Sequence, residues 1–524
     1  MRRLVAPASP SLSPSGWWAP RRRHLAAVAA CAALVSGLPL GPAARLHAQR
    51  GLTRAVDARL DSPPFRRQLW GIAVMDDGGR LLYARNADRL FIPASTAKLA
   101  VTAVAAARLP PTWVVRTSLY GTEAVRDGVL QGDLVLYGRG DPTWSRRCYG
   151  TDSLRPGVCE SEPMWAVRRL ADSLRARGVR SIAGNVVGDG SWLEPTLVHP
   201  AWENYDLNWW YAAPVSGLGF NDNSVDLTWG AGPAVGAPPL ISFAPSWTPI
   251  VLDNRAVTTP GDTGTNIDFF REPATLRIRA EGRVAQTGRG RTEYFALPDP
   301  NYFAALALWT ALREAGITVS GSVKSTTDST AFRSVRAGPP LAEVTSRPLS
   351  DWIFPVLNTS QNWFAEILLK QLGRQFGRAG SWREGIAVER RFLIDSLGVD
   401  STQLALVDGS GLANSNLITP LALVRILQAM RRHPRAEPFL AALPRAGQRG
   451  SLARRFGGTP ADGRVAAKPG TIARVNALAG YLELEGGRTV TFAVLANHHA
   501  LTAPAATAQI DSVIVDLARA FARR

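Results

Sequence analysis

The chain contains 524 residues, which is too long for a single hydrophobic core and suits two or three domains. Hydrophobic residues make up 46% and charged residues 19%, a composition that excludes bulk disorder. Beyond the N-terminal region no apolar run reaches about 18 residues, which excludes a polytopic membrane protein. The net charge is +18, but the Arg residues are spread throughout the chain, so we predict no nucleic-acid partner.

The N-terminal residues have the pattern of an export signal. Three consecutive Arg at 21–23 precede an apolar stretch at 25–40, and Ala48 offers a small residue for cleavage. We therefore predict that residues 1–48 are a signal peptide and that the mature chain is exported to the periplasm. The alternatives are an uncleaved membrane anchor, lipid attachment at Cys31, and export by a twin-arginine route.

Two cysteines remain after the predicted signal, Cys148 and Cys159. Neighbouring cysteines of an exported protein usually pair, so we predict a Cys148–Cys159 disulfide, with two unrelated thiols as the alternative. Two cysteines cannot form a structural zinc site alone, and the sequence contains no HExxH or paired CxxC motif. The dipeptide His498-His499 is more typical of a surface than of a ligand site. We predict no metal and no cofactor.

Two predicted hairpins come from opposite ends of the chain. Residues 70–84 form two apolar runs around Asp-Asp-Gly-Gly at 76–79, and residues 477–497 form a second pair that turns at 486–487. The last segment has apolar residues at helical spacing. They are Ile510, Val513, Ile514, Leu517 and Phe521. We therefore predict one antiparallel sheet assembled from both ends of the chain and covered by a terminal helix.

Further helices are predicted at 95–107, 362–372 and 384–396, the second of them ending at Gly373. Residues 115–340 differ, because they are rich in Gly, Pro, Trp and short β-type runs. We predict an α/β (α+β) fold whose first domain is discontinuous and is split by a β-rich insertion of two subdomains. The predicted boundaries are 49–114 and 341–524 for the first domain and 115–340 for the insertion.

Ser95 and Lys98 open the helix that follows the first hairpin. Their spacing places them on one helix face, so the amine can reach the hydroxyl. A serine becomes a good nucleophile when a neighbour takes its proton, which a Lys of lowered pKa can do and an Arg cannot. The chain has four Lys against 56 Arg, so a Lys at this position is informative. For this motif alone, a helix cap followed by a surface Lys remains the alternative.

Two further motifs carry hydroxyl, amide and amine side chains that suit acyl transfer to a serine. Ser360 and Asn362 begin a predicted helix, where the hydroxyl can relay a proton and the amide can bind a substrate peptide. Lys468 lies in Lys-Pro-Gly-Thr at 468–471, which leads into the C-terminal hairpin. In this order, Ser-x-x-Lys, Ser-x-Asn and Lys-x-Gly form the set found in penicillin-binding proteins and serine β-lactamases.

The wider sequence resembles the class C penicillin-binding proteins, which are D-alanyl-D-alanine carboxypeptidases and D,D-endopeptidases. The resemblance covers about residues 65–515 and includes the long gap between the first two motifs. It rests on PASTAKL (93–99), GRGDPT (138–143), GNVVGDGSW (184–192), YAAPVSGLGFNDNSV (211–225), NTSQNWFAEILL (358–369), DGSGLANSNLITP (408–420) and GTPADGRVAAKPGT (458–471).

The resemblance implies a β-lactamase/transpeptidase-like fold, an antiparallel sheet flanked by helices. It implies Ser95 as the acylated nucleophile, Lys98 as its base and Ser360 as the proton shuttle, with the amides of Ser95 and Thr471 as the oxyanion hole. The implied substrate-binding residues are Asn362, Lys468, Gly470 and Thr471. The implied partners are peptidoglycan stem peptides as substrates and β-lactam antibiotics as covalent inhibitors. Peripheral association with the wall or membrane and the oligomeric state stay open.

One residue departs from the family's usual Lys-Thr-Gly: Pro469 replaces the threonine and removes its hydroxyl. By strand alternation, the nitrogens of residues 469 and 471 point the same way, so Pro469 should remove no ladder hydrogen bond. We expect the strand to survive and recognition of the substrate carboxylate to weaken, with the Thr471 hydroxyl as a substitute. A second departure, Ala413-Asn414 in place of a frequent Ser-Arg, carries no predicted consequence.

Three functions compete on this sequence. The leading prediction is an exported serine peptidase that cuts D-Ala-D-X bonds of peptidoglycan peptides. The second is a β-lactamase or esterase with the same motifs, against which the large insertion argues. The third is a penicillin-binding wall protein that has lost turnover through Pro469.

Overall fold

The computed structural model describes residues 42–145, 162–272 and 275–522. The chain divides into a unit of residues 1–48 and a unit of residues 49–524, and the fold and the site lie in the second. Residues 1–41, Cys148 and Cys159 lie outside the described residues, so the signal peptide and the disulfide stay predictions and lipid attachment at Cys31 stays an alternative. In the part of the chain that is described, no helix is long and apolar enough to span a membrane.

The N-terminal part contains one long helix, a hairpin and the helix that carries the first motif. Its elements are α1 (Pro42–Leu60), β1 (Leu69–Asp76), β2 (Leu81–Arg85), a 3-10 turn (Ala94–Ala97) and α2 (Lys98–Arg108).

The middle part is dominated by short strands, as its composition predicts. Its strands are β3 (Arg116–Gly121), β4 (Val125–Arg126), β5 (Val129–Leu130), β6 (Leu134–Tyr137), β7 (Ser181–Ile182), β8 (Val186–Asp189), β9 (Ser224–Gly230), β10 (Leu240–Ala244), β11 (Val251–Asn254), β12 (Val257–Thr259), β13 (Asn266–Arg271), β14 (Arg277–Ala285), β15 (Arg291–Ala296), β16 (Thr318–Val319), β17 (Val323–Thr326) and β18 (Ala342–Thr345). Its helices are α3 (Trp165–Ala176), α4 (Pro300–Glu314) and α5 (Arg333–Arg336).

The C-terminal part is mainly helical until the last three long strands. Its helices are α6 (Leu349–Asn358), α7 (Asn362–Phe376), α8 (Trp382–Asp395), α9 (Pro420–Arg432), α10 (Glu437–Ala442) and α11 (Ala503–Ala522). Its strands are β19 (Leu404–Ala405), β20 (Leu417–Ile418), β21 (Val465–Ile472), β22 (Val475–Glu483) and β23 (Thr489–Asn497).

The central sheet is built from both ends of the second unit. Its order is β2-β1-β23-β22-β21, and every neighbouring pair is antiparallel. Both predicted hairpins are confirmed, and Gly486 and Gly487 turn the second one with positive φ angles of 72° and 73°. Strand β21, which carries the third motif, lies at an edge of the sheet.

Helices cover both faces of this sheet because its strands alternate apolar side chains between two cores. Ile72 and Val74 of β1 join a core with α1 and α11, in which the five predicted apolar residues of the terminal helix are buried. Ala73 and Met75 join the opposite core, formed with α2 and α6–α9. The predicted sheet flanked by helices is therefore confirmed.

The middle strands form separate small sheets around a core of their own. Their orders are β17-β8-β6-β3-β18, β16-β7-β5-β4, β10-β9-β15, and β11-β14-β12 with β13 on β14. That residues 115–340 constitute an insertion of two subdomains, with those boundaries, stays a proposal.

The predicted end of α7 at Gly373 is wrong, because the helix continues to Phe376. Gly373 instead marks the crossing of α7 with α8. A Cβ atom at this position would lie 2.7 Å from the backbone nitrogen of Gly385, so a larger residue would separate the two helices.

Candidate active site

Ser95 lies in the 3-10 turn that leads into α2, and its hydroxyl contacts the amine predicted as its base. Lys98 Nζ lies 2.9 Å from Ser95 Oγ. Ala94 has a left-handed φ of 46°, which bends the chain just before the serine. The cap of this turn is Pro93, and Lys98 is fully buried. A capping serine followed by a surface lysine therefore does not describe this motif.

Three oxygen atoms surround the Lys98 amine. Besides Ser95 Oγ, they are Asn362 Oδ1 and the Ser410 carbonyl, each at 2.7 Å. Burial lowers the pKa of Lys98 to about 7, although the carboxylates of Glu366 and Asp408 act in the opposite direction. The amine can therefore be neutral near physiological pH, as a base for Ser95 must be.

Ser360 and Lys468 form a second hydroxyl–amine pair. Ser360 lies between α6 and α7 with a left-handed φ of 66°, and its Oγ is 2.8 Å from Lys468 Nζ. The same amine donates to the Pro469 carbonyl at 2.8 Å. Burial and the Lys98 cation lower the pKa of Lys468. A substrate carboxylate would act in the opposite direction, because a nearby anion favours the charged amine.

Both ends of the Asn362 amide are fixed by contacts. Asn362 Nδ2 donates to the Tyr211 carbonyl at 2.8 Å, and a carbonyl can only accept. Oδ1 must then face Lys98. The residue is the first of α7, whose cap is Gln361 Oε1 accepting from the Trp363 amide. Tyr211 comes from the middle part of the chain, so residues of two distant segments complete this contact.

Strand β21 passes directly beside Ser95. A Cβ atom on Gly470 would lie 2.9 Å from the Ser95 nitrogen, so only glycine permits this approach. The strand runs unbroken through Pro469, which confirms that proline does not interrupt it. The Ala467 amide donates outward to the Pro444 carbonyl, and by alternation the nitrogens of 469 and 471 point outward too. Pro469 therefore costs the ladder with β22 no hydrogen bond.

The Thr471 hydroxyl is oriented by residues behind the strand. Asn476 Nδ2 donates to Thr471 Oγ1 at 3.2 Å, and Asn476 Oδ1 faces His499 Nε2 at 2.9 Å. Because Thr471 Oγ1 accepts here, its own hydrogen can be donated to a substrate.

The prediction of a surface His dipeptide is wrong for His499, which is buried, whereas His498 is exposed.

Ser95, Ser360, Asn362 and Thr471 all line one cleft of about 430 Å³. Another wall of the cleft comes from the middle part of the chain and from residues 411–414. Glu203 and Asp206 make this wall acidic, and Asn414 Nδ2 donates to Glu203 at 2.7 Å. Burial raises the pKa of Asp206. The cleft thus joins two hydroxyl–amine pairs to an acidic rim.

Sequence reasoning missed the residues that support the site from behind. Glu366 and Asp408 are both buried. Their carboxylates hold the 408–413 loop by accepting hydrogen bonds from its backbone amides. An acidic residue one helical turn after Asn362, inside an otherwise apolar run, was a readable signal. The cleft wall at Glu203 and Asp206 gave no comparable signal.

In the residues that the structure describes, no group of three or more His, Cys, Asp or Glu side chains could hold a metal ion. The absence of a metal stays a prediction for the chain as a whole.

Two Ser–Lys pairs against an antiparallel sheet with helices on both faces define the β-lactamase/transpeptidase-like class of proteins. The family model described as the D-Ala-D-Ala carboxypeptidase 3 (S13) family matches residues 52–517. The chain therefore belongs to this family, and it is a serine D,D-peptidase, as the sequence predicts.

Two relatives and one solved structure illustrate the similarity. The D-alanyl-D-alanine carboxypeptidase of Actinomadura sp. (strain R39) is 31% identical over 523 residues, covering 95% of this chain and 92% of the relative. Carboxypeptidase DacB of Mycolicibacterium smegmatis is 27% identical over 467 residues, covering 88% and 83%. The crystal structure of penicillin binding protein 4 (dacB) from Haemophilus influenzae aligns with a TM-score of 0.75 at 21% identity, over 90% of this chain and 99% of that chain.

Proposed function

We propose that this chain is an exported, periplasmic D,D-peptidase that cleaves peptidoglycan peptides through an acyl-enzyme on Ser95. The observation that carries the proposal is the pair of hydroxyl–amine contacts at one cleft, Ser95–Lys98 and Ser360–Lys468. A relative named D-alanyl-D-alanine carboxypeptidase supports the substrate, and a similar structure complexed with a β-lactam supports the binding of β-lactams.

The geometry supports a two-step acyl transfer. Ser95 Oγ attacks the carbonyl carbon between the last two D-alanines, and neutral Lys98 takes the hydroxyl proton. The backbone amides of Ser95 and Thr471 stabilise the oxyanion, an effect worth about 10²–10³ in rate in another serine enzyme. The C–N bond then breaks, and the leaving amine receives a proton through Ser360. Water finally hydrolyses the ester and restores Ser95.

The remaining residues bind the substrate. The Asn362 amide and the Thr471 hydroxyl are placed to bind the peptide and its terminal carboxylate, to which Lys468 adds positive charge. The acidic rim of Glu203 and Asp206 favours a substrate that carries an ammonium group, such as the free amine of a diamino acid.

Covalent labelling with fluorescent penicillin, combined with a hydrolysis assay, tests the proposal. Labelling together with D-alanine release from a pentapeptide supports the D,D-peptidase. Rapid turnover of the drug would instead indicate a β-lactamase, and labelling without any hydrolysis would indicate a wall protein that has lost turnover.

The rate of acylation should depend on pH through Lys98. Because burial lowers the pKa of this amine to about 7, acylation should be slow at pH 5–6, rise through about pH 7 and then level off. The measurement is the second-order rate constant for acylation by a chromogenic β-lactam between pH 5 and 9. A rate that stays flat across this range would contradict a titrating Lys98 base.

Replacing Pro469 with Thr should strengthen recognition of the terminal carboxylate. A hydrogen bond to a charged group is worth about 1.5–3 kcal/mol, or roughly one to two powers of ten in kcat/KM. Pro469→Thr should raise D-alanine release from a pentapeptide and leave Ser95 acylation by a small ester unchanged. Equal or lower release in the folded variant would indicate that Thr471 already supplies the contact.

A further inference from the structure

One face of helix α7 carries three buried polar side chains at intervals of four residues. Asn362, Glu366 and Lys370 follow the helical repeat, and Glu366 and Lys370 are completely buried. Asn362 contacts the Lys98 amine, whereas Glu366 lies one turn further along, outside the residues that line the cleft. The motif helix therefore extends a polar face behind the active site.

Glu366 accepts hydrogen bonds from two consecutive backbone amides of the 408–413 loop. Its Oε1 accepts from the Ser410 amide at 2.7 Å, and its Oε2 accepts from the Gly409 amide at 3.0 Å. The indole of Trp382 also donates to Oε2 at 2.7 Å. All three partners are N–H donors, which favour the ionised carboxylate, although burial and the charge of Asp408 raise the pKa of Glu366 to about 7.

The other side of Ser410 faces Lys98. The Ser410 carbonyl accepts from Lys98 Nζ, so this residue is held by Glu366 at its nitrogen and by Lys98 at its oxygen. The position is tightly enclosed, because a Cβ atom on Gly411 would lie 1.9 Å from the Ala94 carbonyl oxygen. The loop therefore has little freedom unless its amides are released.

A neutral amine has two hydrogens and one lone pair. If Asn362 Oδ1 and the Ser410 carbonyl accept both hydrogens of Lys98, the lone pair is left for the Ser95 hydroxyl. Both acceptors depend on α7, since Asn362 belongs to the helix and Ser410 is fixed by Glu366. The direction of the lone pair thus depends on one helix face.

We propose that Glu366 is a positioning residue. By holding the Gly409 and Ser410 amides of the 408–413 loop, it orients the lone pair of Lys98 towards Ser95. This inference rests on the proposed function in taking Lys98 as the base of Ser95. It adds a residue that touches neither substrate nor nucleophile and acts through the carbonyl of Ser410.

The charged groups around these side chains determine the expected pH effect. Glu366 and Asp408 raise the pKa of Lys98, against the larger effect of burial. Lys468 is a second amine near Lys98, and burial and the charge of Lys98 lower the pKa of Lys468. The groups that face Glu366 itself are Asp408, Glu389, Lys370 and Lys98. Removing the charge of Glu366 should therefore lower the pKa of Lys98 further.

The test compares Glu366→Gln, Glu366→Asp and a control, Glu389→Gln. Gln keeps the size of Glu366 but turns an N–H group towards an amide donor. We expect the plateau rate of acylation by a chromogenic β-lactam to fall about 10–100-fold, the scale of a misplaced catalytic group. The apparent affinity for the β-lactam should change little, and the acidic limb of the pH profile should move below 7.

Glu366→Asp separates position from charge. It keeps the carboxylate but is one methylene too short to reach both amides, so the plateau rate should fall while the acidic limb stays near pH 7. Glu389 is a buried neighbour on α8, and burial raises its pKa well above the ordinary value. Glu389→Gln should therefore keep the rates and the pH profile of the unsubstituted protein.

Unchanged acylation rates and an unchanged acidic limb in the Glu366 variants, with lowered thermal stability alone, would show a purely structural role and overturn the proposal. If Glu366→Gln does not fold, an unchanged plateau rate in Glu366→Asp has the same meaning. Failure of the proposed function is distinguishable, because the unsubstituted protein would then show no acylation at Ser95.

Discussion

Replacing Ser95 with Ala should lower the rate of D-alanine release from a pentapeptide by about 10⁶-fold. This is the loss seen when the nucleophile of another serine peptidase is replaced. The hydroxyl has no substitute at its place, because Lys98 and Asn362 next to it cannot form the ester. The measurement is D-alanine release by the purified variant beside the unsubstituted protein.

This substitution should leave the fold intact. Ser95 does not cap the helix, and the described contact of its side chain is with Lys98. Thermal unfolding should therefore change little, and the expected loss is chemical. Retention of more than a few per cent of the activity in the folded variant would contradict a role of Ser95 as nucleophile.

Replacing Lys98 with Met should lower acylation by about 10²–10⁴-fold, the usual contribution of a general base. Met has nearly the length of Lys and suits a fully buried position, but it cannot take the proton from Ser95. Asn362 Oδ1 and the Ser410 carbonyl would lose their donor, so some loss of stability is expected as well.

The matched control is Lys324→Met, which removes an exposed lysine of strand β17. Acylation by a chromogenic β-lactam should be unchanged in the control. In Lys98→Met the residual rate should also lose its rise through pH 7. A variant that acylates at the original rate with the original pH profile would exclude Lys98 as the base.

The local patterns of the sequence predict much of this fold. Apolar alternation around Asp-Asp-Gly-Gly at 76–79 and a glycine pair at 486–487 predict two hairpins, which the central sheet contains. Helical spacing predicts α11 and its buried face. The prediction that α7 ends at Gly373 is wrong. This glycine permits the close contact with α8, which is a tertiary effect that no local pattern shows.

The sequence predicts some residues of the candidate site and misses others. Residues in short motifs could be predicted: Ser95 and Ser360 line the cleft, and Lys468 contacts Ser360. The Tyr211 carbonyl and the rim at Glu203 come from a distant segment, so their contacts depend on the tertiary fold. Asn476 and His499 orient Thr471 through a pairing register that only the assembled sheet defines.

The central claim is that Ser95 forms the acyl-enzyme, and intact-mass analysis after treatment with benzylpenicillin tests it most directly. The unsubstituted protein should gain the mass of one penicilloyl group, located by peptide mapping to the segment that contains Ser95. Ser95→Ala should gain none. An adduct of equal yield in Ser95→Ala, or an adduct on another segment of the unsubstituted protein, would contradict the account.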